Sequence, residues 1–331
     1  MTPAAMRRPA LVGLLLLAVT ASLCLAGIAV GSLGWEPLSG GSSDSSAAIL
    51  WDIRLPRTLG AWLAGALLGL AGAVAQGLFR NPLADPYLLG SATGAAFGVA
   101  VLLVLVGGSP VAASAWWRHL GFTGAAFLGA VLAVLVTLLL ARGVQQTLRL
   151  LLAGVVVGMV FGAFAALAVF WRPEVMRSMQ SFLLGTTAFL GWPGVLLLAS
   201  TFALTGAVAV AFSRPLDALS LGETTAASLG VAIGPVRTVL VAVIALATGA
   251  AVAQVGLIGF IGLVSPHVVR AAVKPTHRWL LPLSASAGGV LLLAADVLAR
   301  WLLAPRELPV GVLSAVLGGG YLLWLMHRRP L

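Results

Sequence analysis

Apolar residues in this chain come in long unbroken runs, not in alternation. Nine are plain, near residues 10–33, 58–79, 87–107, 121–141, 150–170, 193–212, 238–269, 279–298 and 308–326. A helix crosses a bilayer core with about 20 apolar residues, whereas a membrane strand needs about 10 of alternating character. The pattern predicts an all-α membrane protein. The seventh run, 238–269, is too long for one crossing and carries Gly249, Gly256, Gly259 and Gly262. It is expected to fold as a hairpin turning near Gln254 to Gly256. That gives about ten transmembrane helices in one domain over residues 1–331, with both termini on one side.

Composition agrees. Of 331 residues, 60% are hydrophobic and only 8% charged, with mean hydropathy +1.09, against about 25% charged in a soluble domain. The net charge of +10 does not point to nucleic acid, because the cations stand singly at the ends of apolar runs. The N-terminus has the basic start of a signal peptide, but Ala10 to Leu33 is uncharged and longer than the 7–15 residues or so of a signal core. It reads as a retained first span. The lone cysteine, Cys24, excludes an intrachain disulfide framework.

Charge orients the spans. With the N-terminus inside, the inner ends carry Arg7, Arg8, Arg80, Arg142, Arg149, Arg214, Arg237, Arg270, Lys274, Arg278, Arg328 and Arg329. The outer ends carry Arg54, Arg57, Arg118, Arg172, Arg177, Arg300 and Arg306. Twelve against seven is the bias that the positive-inside rule requires. Glu36, Asp44, Asp52, Glu174, Asp296 and Glu307 fall outside or near the outer ends.

One interior loop, residues 213–236, is unlike the rest. "SRPLDALSLGETTAASLGVAIGP" carries Asp217, Glu223 and two threonines. Leu216, Leu219, Ala226 and Leu229 would share a stripe on a helix broken at Gly222. A helix lying on lipid would carry Lys or Arg on its polar face, and none stands between Arg214 and Arg237. An inert connector and a docking element for a soluble partner both fit.

"AVAQG" (Ala73–Gly77) closes the second span and "AVAQVG" (Ala251–Gly256) the seventh. Five spans apart, these run in opposite directions, as in an inverted repeat. Candidate chemistry is sparse. The only lysine, Lys274, is followed by Pro275, so there is no P-loop. Every Asp and Glu lies in a loop or near a span end, whereas ion-coupled carriers place an acid or histidine deep in a span. His119, His267, His277 and His327 show no metal-ligand spacing, and no resident cofactor or catalytic residue is expected. Gln76 and Gln254 are expected to hydrogen-bond between helices. The chain reads as a path through the membrane without its own motor.

Three stretches carry a resemblance over essentially the whole chain. "RLPRTLGAWLAGALLGLAGAVAQGLFRNPLADPYLLGSATGAAFG" (Arg54–Gly98), "GLIGFIGLVSPHVVR" (Gly256–Arg270) and "ADVLARWLLAPRELPVGVLSAVLGGGYLLWLM" (Ala295–Met326) closely resemble the FecCD family, permease subunits of ABC importers for vitamin B12, ferric siderophores and haem. The resemblance implies a ten-span fold with an inverted pseudo-repeat, a homodimer in the bacterial inner membrane with cytoplasmic termini, two ATPase subunits beneath and a periplasmic binding protein above. It implies that loop 213–236 holds coupling helices, with Leu219, Leu221, Gly222, Glu223, Ala226 and Leu229 at the ATPase. It implies docking of the binding protein by Arg54, Arg57 and Arg300; the alternative for these arginines is lipid headgroups or pairing within the chain, for example with Asp52 or Asp296. It implies an inner gate from Asn81, Pro82 and Leu83 with Thr147 and Leu148, where Leu148 departs from the hydroxyl residue common in the family. Met179, Phe182, Thr186 and Thr187 interrupt a pattern frequent in haem-type members. This favours a ferric siderophore or cobalamin over haem as cargo. The alternative from another class is a self-sufficient secondary carrier or channel.

Overall fold

The computed structural model describes residues 3–31, 34–35, 44–106, 115–141 and 147–328. Glu36, Arg142 and Arg329, used above to orient the chain, lie outside the described residues. So do the side chains of Arg7, Asp44, Arg118, Thr147, Leu148 and Arg328.

The first span is α1 (Pro3–Ala29), followed by a two-residue strand pair. Helix α2 (Asp44–Ile49) runs through a wide turn at Leu50–Arg54 into α3 (Leu55–Phe79). Then come α4 (Ser91–Leu105), α5 (Ala115–Leu140), α6 (Thr147–Trp171), short α7 (Met176–Leu184) and α8 (Trp192–Ala211). Two short helices, α9 (Ser213–Ser220) and α10 (Glu223–Ser228), precede α11 (Ile233–Val255), α12 (Ile261–Val273), α13 (His277–Trp301) and α14 (Val310–Arg328). Seven of these are long and apolar enough to cross a membrane, and α4, α12 and α14 are shorter apolar helices. Together they match the ten spans expected.

The long seventh run does break as a hairpin. Helix α11 ends at Val255, and Gly256 takes φ +71°. Its Cβ position is filled by the Phe182 carbonyl, so only glycine fits there. The eighth span, α12, begins only at Ile261, after a non-helical stretch that ends at left-handed Phe260.

Helix α3 is the axis of the bundle. All of α3 from Ala64 to Phe79 is buried, whereas α1 is largely exposed. Water drives helices into the bilayer but not against each other, so close packing of small residues must hold them together. Gly65 and Gly69 of α3 meet Gly288 and Ser284 of α13 backbone to backbone, and Gly72 meets Gly262 of α12. Any side chain at these positions would collide with a carbonyl. Gln76 Nε2 donates to Leu263 O at 3.1 Å and Gln254 Nε2 to Thr123 Oγ1 at 3.1 Å, so both glutamines of the echoed motif bridge helices. His267 packs its ring on Tyr321, centroids 5.9 Å apart.

One expectation needs correction. The run 87–107 is not helical from its start. Asp85 Oδ1 accepts the Tyr87 N–H at 2.8 Å, a tight turn covers Pro86–Leu89, and Gly90 has φ +82°. The segment folds back, with Pro86 against Gly262 and the Leu88 carbonyl against Gly154. Tyr87 Oη donates to Ile258 O at 3.2 Å. The helix begins only at Ser91.

Candidate functional site

Two polar clusters sit at opposite ends of the α3–α13 pair. The first gathers the start of α3, the end of α13 and the connection after it. Asp296 and Arg300 are four residues apart on one face of α13, a spacing that lets them pair. Arg300 Nη2 lies 2.7 Å from Asp296 Oδ2. Arg57 Nε donates to Asp296 Oδ1 at 3.1 Å, and its Nη1 and Nη2 reach Glu307 Oε1 and Oε2 at 3.1 and 2.9 Å. Thr187, just before α8, donates to Asp296 Oδ1. Arg300 Nη1 donates to Gly27 O at 2.8 Å and Val30 O at 2.9 Å. Arg54 Nη1 donates to Ile28 O at 3.2 Å. Carbonyls at a helix C-terminus have no partner within the helix; here two guanidinium groups satisfy those of α1, where the helix dipole also favours a cation.

Of the three arginines expected to dock a partner, the structure therefore buries two. The side chains of Arg57 and Arg300 keep 8% and 2% of their surface, and Asp296 keeps none. A buried guanidinium must be paired, and the partner is Asp296, one of the two intrachain alternatives. Arg54 is half-buried.

The second cluster surrounds α9 and α10. Gly222 joins them with φ +110° and ψ +152°, a region open to glycine alone. The elbow expected at Gly222 is thus present. Leu216, Leu219 and Ala226 are buried, while Leu221 and Leu229 are 66% and 63% exposed. Leu219 and Ala226 thus face the bundle: Ser213, Leu216 and Leu219 form the inner stripe of α9, and Ala226 is the buried residue of α10. Their side chains seat the elbow, and Leu221 and Leu229 are left facing outward.

Glu223 also turns inward. Arg237 Nη2 approaches Glu223 Oε1 to 2.9 Å and Arg80 Nη2 to 3.7 Å. Asp217 Oδ1 accepts the His277 N–H at 3.0 Å and lies 2.6 Å from His277 Nδ1. Asp217 thereby closes the N-terminus of α13, where orphan N–H groups need acceptors. Gly77 leaves the space in which Leu216 and the His277 ring meet α3. The turn after α3 lies at this same end. Arg80 is left-handed at φ +51°, and Asn81 Oδ1 accepts the Leu83 N–H at 2.9 Å. Asn81, Pro82 and Leu83 are exposed. Because Arg80 follows α3 and Arg237 opens α11, α3 and α11 run in opposite directions, as the echoed motif requires.

Burial pushes the Asp85 carboxyl above the usual aspartate range, partly offset by the Tyr87 N–H. Sequence reasoning missed Asp217, His277, Thr187 and Glu307. The signal for Glu307 was charge balance, since two outer arginines near one span end need two carboxylates. Asp217 stood in the quoted loop, but its partner lies 60 residues away.

Ten apolar helices among the described residues, with a glycine elbow docked on the axial pair, define a polytopic membrane protein. The chain belongs to the FecCD transport family, whose model matches residues 14–328. It is 38% identical to the hemin transport system permease protein HmuU of Yersinia pestis, over 96% of this chain and 94% of that protein. It is 39% identical to the vitamin B12 import system permease protein BtuC of Citrobacter koseri, over 95% of this chain and 92% of that one. Among solved structures, an inward-facing metal-chelate type ABC transporter superposes with TM-score 0.85 at 27% identity, covering 95% of this chain and 98% of its own. PsaBC of Streptococcus pneumoniae, at TM-score 0.56 and 16% identity, shares the fold.

Proposed function

We propose that this chain is the permease subunit of an ATP-driven importer of a metal chelate. It works in the bacterial inner membrane as a homodimer, with cytoplasmic termini. A separate ATPase supplies energy, and a periplasmic binding protein delivers the cargo. The end-to-end match to a metal-chelate transporter carries this reading. Similarity to a haemin and a B12 permease is nearly equal, 38% and 39%. Thr187, one departure from the haem-type pattern, has a structural task on Asp296. The cargo class is therefore a bulky metal chelate, with haem, cobalamin and ferric siderophores all within it.

In this reading the Glu223 end faces the cytoplasm. Leu221 and Leu229, projecting from either side of Gly222, enter the ATPase; Leu219, Ala226 and Glu223 hold the elbow on the bundle. Asn81, Pro82 and Leu83 form one wall of the inner gate. At the outer end Arg54 and Arg57 meet acidic side chains of the binding protein, and Arg300 holds Asp296 and α1 in place behind them.

The test is reconstitution of the chain with the ATPase and binding protein encoded beside it. Haemin, cyanocobalamin and ferric siderophores are then screened for stimulation of ATP hydrolysis. One of them is expected to raise turnover and to enter proteoliposomes. The chain without its partners is expected to bind no ATP. Cargo uptake by the isolated chain, driven by an ion gradient, would instead establish a secondary carrier.

A further inference from the structure

Arg57 is gripped on two edges of its guanidinium. Nε and Nη2 face Asp296 Oδ1, both at 3.1 Å, and Asp296 is fully buried. The end-on edge, Nη1 and Nη2, takes both oxygens of Glu307 at 3.1 and 2.9 Å. This is the two-pronged geometry in which arginine binds a carboxylate most strongly. The two carboxylates differ in exposure. Asp296 also holds Arg300 and Thr187. Glu307 stands on the connection between α13 and α14, and its side chain keeps 27% of its surface. That connection is tied down on either side by Arg306 N–H to Leu303 O and Leu308 N–H to Ala299 O.

We infer that Glu307 occupies the carboxylate site that an acidic side chain of the delivering protein takes over, so that docking is an exchange of one carboxylate for another on Arg57. The inference rests on the docking role proposed for this end. It accounts for how a buried arginine serves an outside partner. Asp296 is enclosed, so it stays. Glu307 is the water-reachable member of the four, so it leaves. The exchange conserves the charge on Arg57 and avoids the cost of stripping a guanidinium bare. It also selects the partner's chemistry, since a neutral or basic side chain could not replace Glu307. The released residue lies three positions before α14, whose Gly311 packs on the carbonyls of Leu184 and Leu257. Arrival of the partner is thereby passed to α14.

The test measures association of the binding protein with the permease–ATPase complex in lipid nanodiscs at low ionic strength. Glu307→Gln is expected to speed association about tenfold, because the competing charge is gone and interface charges act chiefly on encounter. Glu307→Asp keeps the charge but shortens the reach, and is expected to give part of the gain. Arg57→Gln is expected to slow association and to abolish any gain from Glu307→Gln in the double variant. Thermal unfolding of each complex identifies variants whose fold has suffered, and Glu307→Asp carries the test if Glu307→Gln is one of them. If the Glu307 variants associate no faster while Arg57→Gln is slower, the exchange is wrong and the docking role stands. If the gain persists without Arg57, it reflects net charge alone and the exchange is again wrong. If Arg54→Gln and Arg57→Gln both leave association unchanged, the docking role itself fails.

Discussion

The Asp217 carboxylate accepts the backbone N–H of His277 at 3.0 Å and lies 2.6 Å from Nδ1 of the same residue. A side chain on α9 thus finishes the first turn of α13, 60 residues later in the chain. Loss of a cap of this kind costs about 0.5–2 kcal/mol. Asp217→Ala is expected to leave ATPase assembly intact but to detach α9 from α13. ATP consumed per cargo molecule transported should rise severalfold. Asp217→Asn, which can still accept the His277 N–H, should restore most of the coupling. Equal stoichiometry in all three proteins would remove the latch from the mechanism.

Gly222 is constrained by its backbone, not by its surroundings. The nearest atom to an added Cβ is Arg80 Nη1, at 4.0 Å. Conformational strain at φ +110° and ψ +152° is of the order of 1–3 kcal/mol for any other residue. Gly222→Ala is therefore expected to impair co-purification of the ATPase nearly as much as Gly222→Val. A tolerated alanine with a damaging valine would mean that space matters there instead.

Asp296→Ala leaves two buried guanidinium groups short of their shared partner. Breaking a buried pair in this way costs about 3–5 kcal/mol. The variant is expected to lose thermal stability in detergent far beyond the loss in Arg54→Ala, whose side chain is only half-buried. Comparable melting of the two would contradict the central place given to Asp296.

Crossing glycines can be compared with open ones. A Cβ on Gly72 runs into the Gly262 backbone, while one on Gly206 in α8 meets nothing within 4 Å. Overpacking costs about 1–3 kcal/mol, so Gly72→Ala should lower stability while Gly206→Ala leaves it unchanged or slightly raised. Thermal unfolding of the two in the same lipid–detergent mixture decides this.

Asp85 gives a pH signature. Its carboxyl is raised in the folded chain, so ionisation costs folded-state stability. That cost is absent below the ordinary aspartate value of about 3.9 and fully present above the raised one. Asp85→Asn keeps an oxygen for the Tyr87 N–H. It should therefore gain stability relative to the parent at pH 7 to 8 and lose that advantage near pH 4. A difference that does not change with pH would mean that Asp85 is not penalised by burial.

Much of the architecture was legible because a bilayer leaves few choices. Runs of fixed length become spans, and 238–269 had to turn because it was too long to stop at one crossing. The start of α4 was not legible, since Tyr87, Leu88 and Leu89 look apolar and helical. Asp85, Pro86 and Gly90 impose a turn there first, and the dipeptide Asp85-Pro86 was its trace in the sequence. At the Gly222 end the hinge was readable from the glycine between two short polar-apolar stretches. So was most of the inner stripe: Leu216, Leu219 and Ala226 are buried, while Leu229, grouped with them, is exposed because α10 ends at Ser228. The burial of Arg57 and Arg300 depended on residues from five separate segments. Only the spacing of Asp296 and Arg300 hinted at it.

The bare backbone crossing of α3 and α13 has a mechanical meaning. At the crossing itself Gly65, Gly69 and Gly288 bring the two backbones into direct contact, with Leu292 and Trp62 packed beside it. Helix α13 has 25 residues, so it is a rod about 37 Å long. One end is fastened to Asp217, the other to Arg57 through Asp296. The backbone contact with α3 lies near its middle, and Pro282 interrupts its hydrogen-bond ladder toward the Asp217 end. If the elbow moves in transport as proposed, α13 is the element that carries the movement toward the Arg57 end.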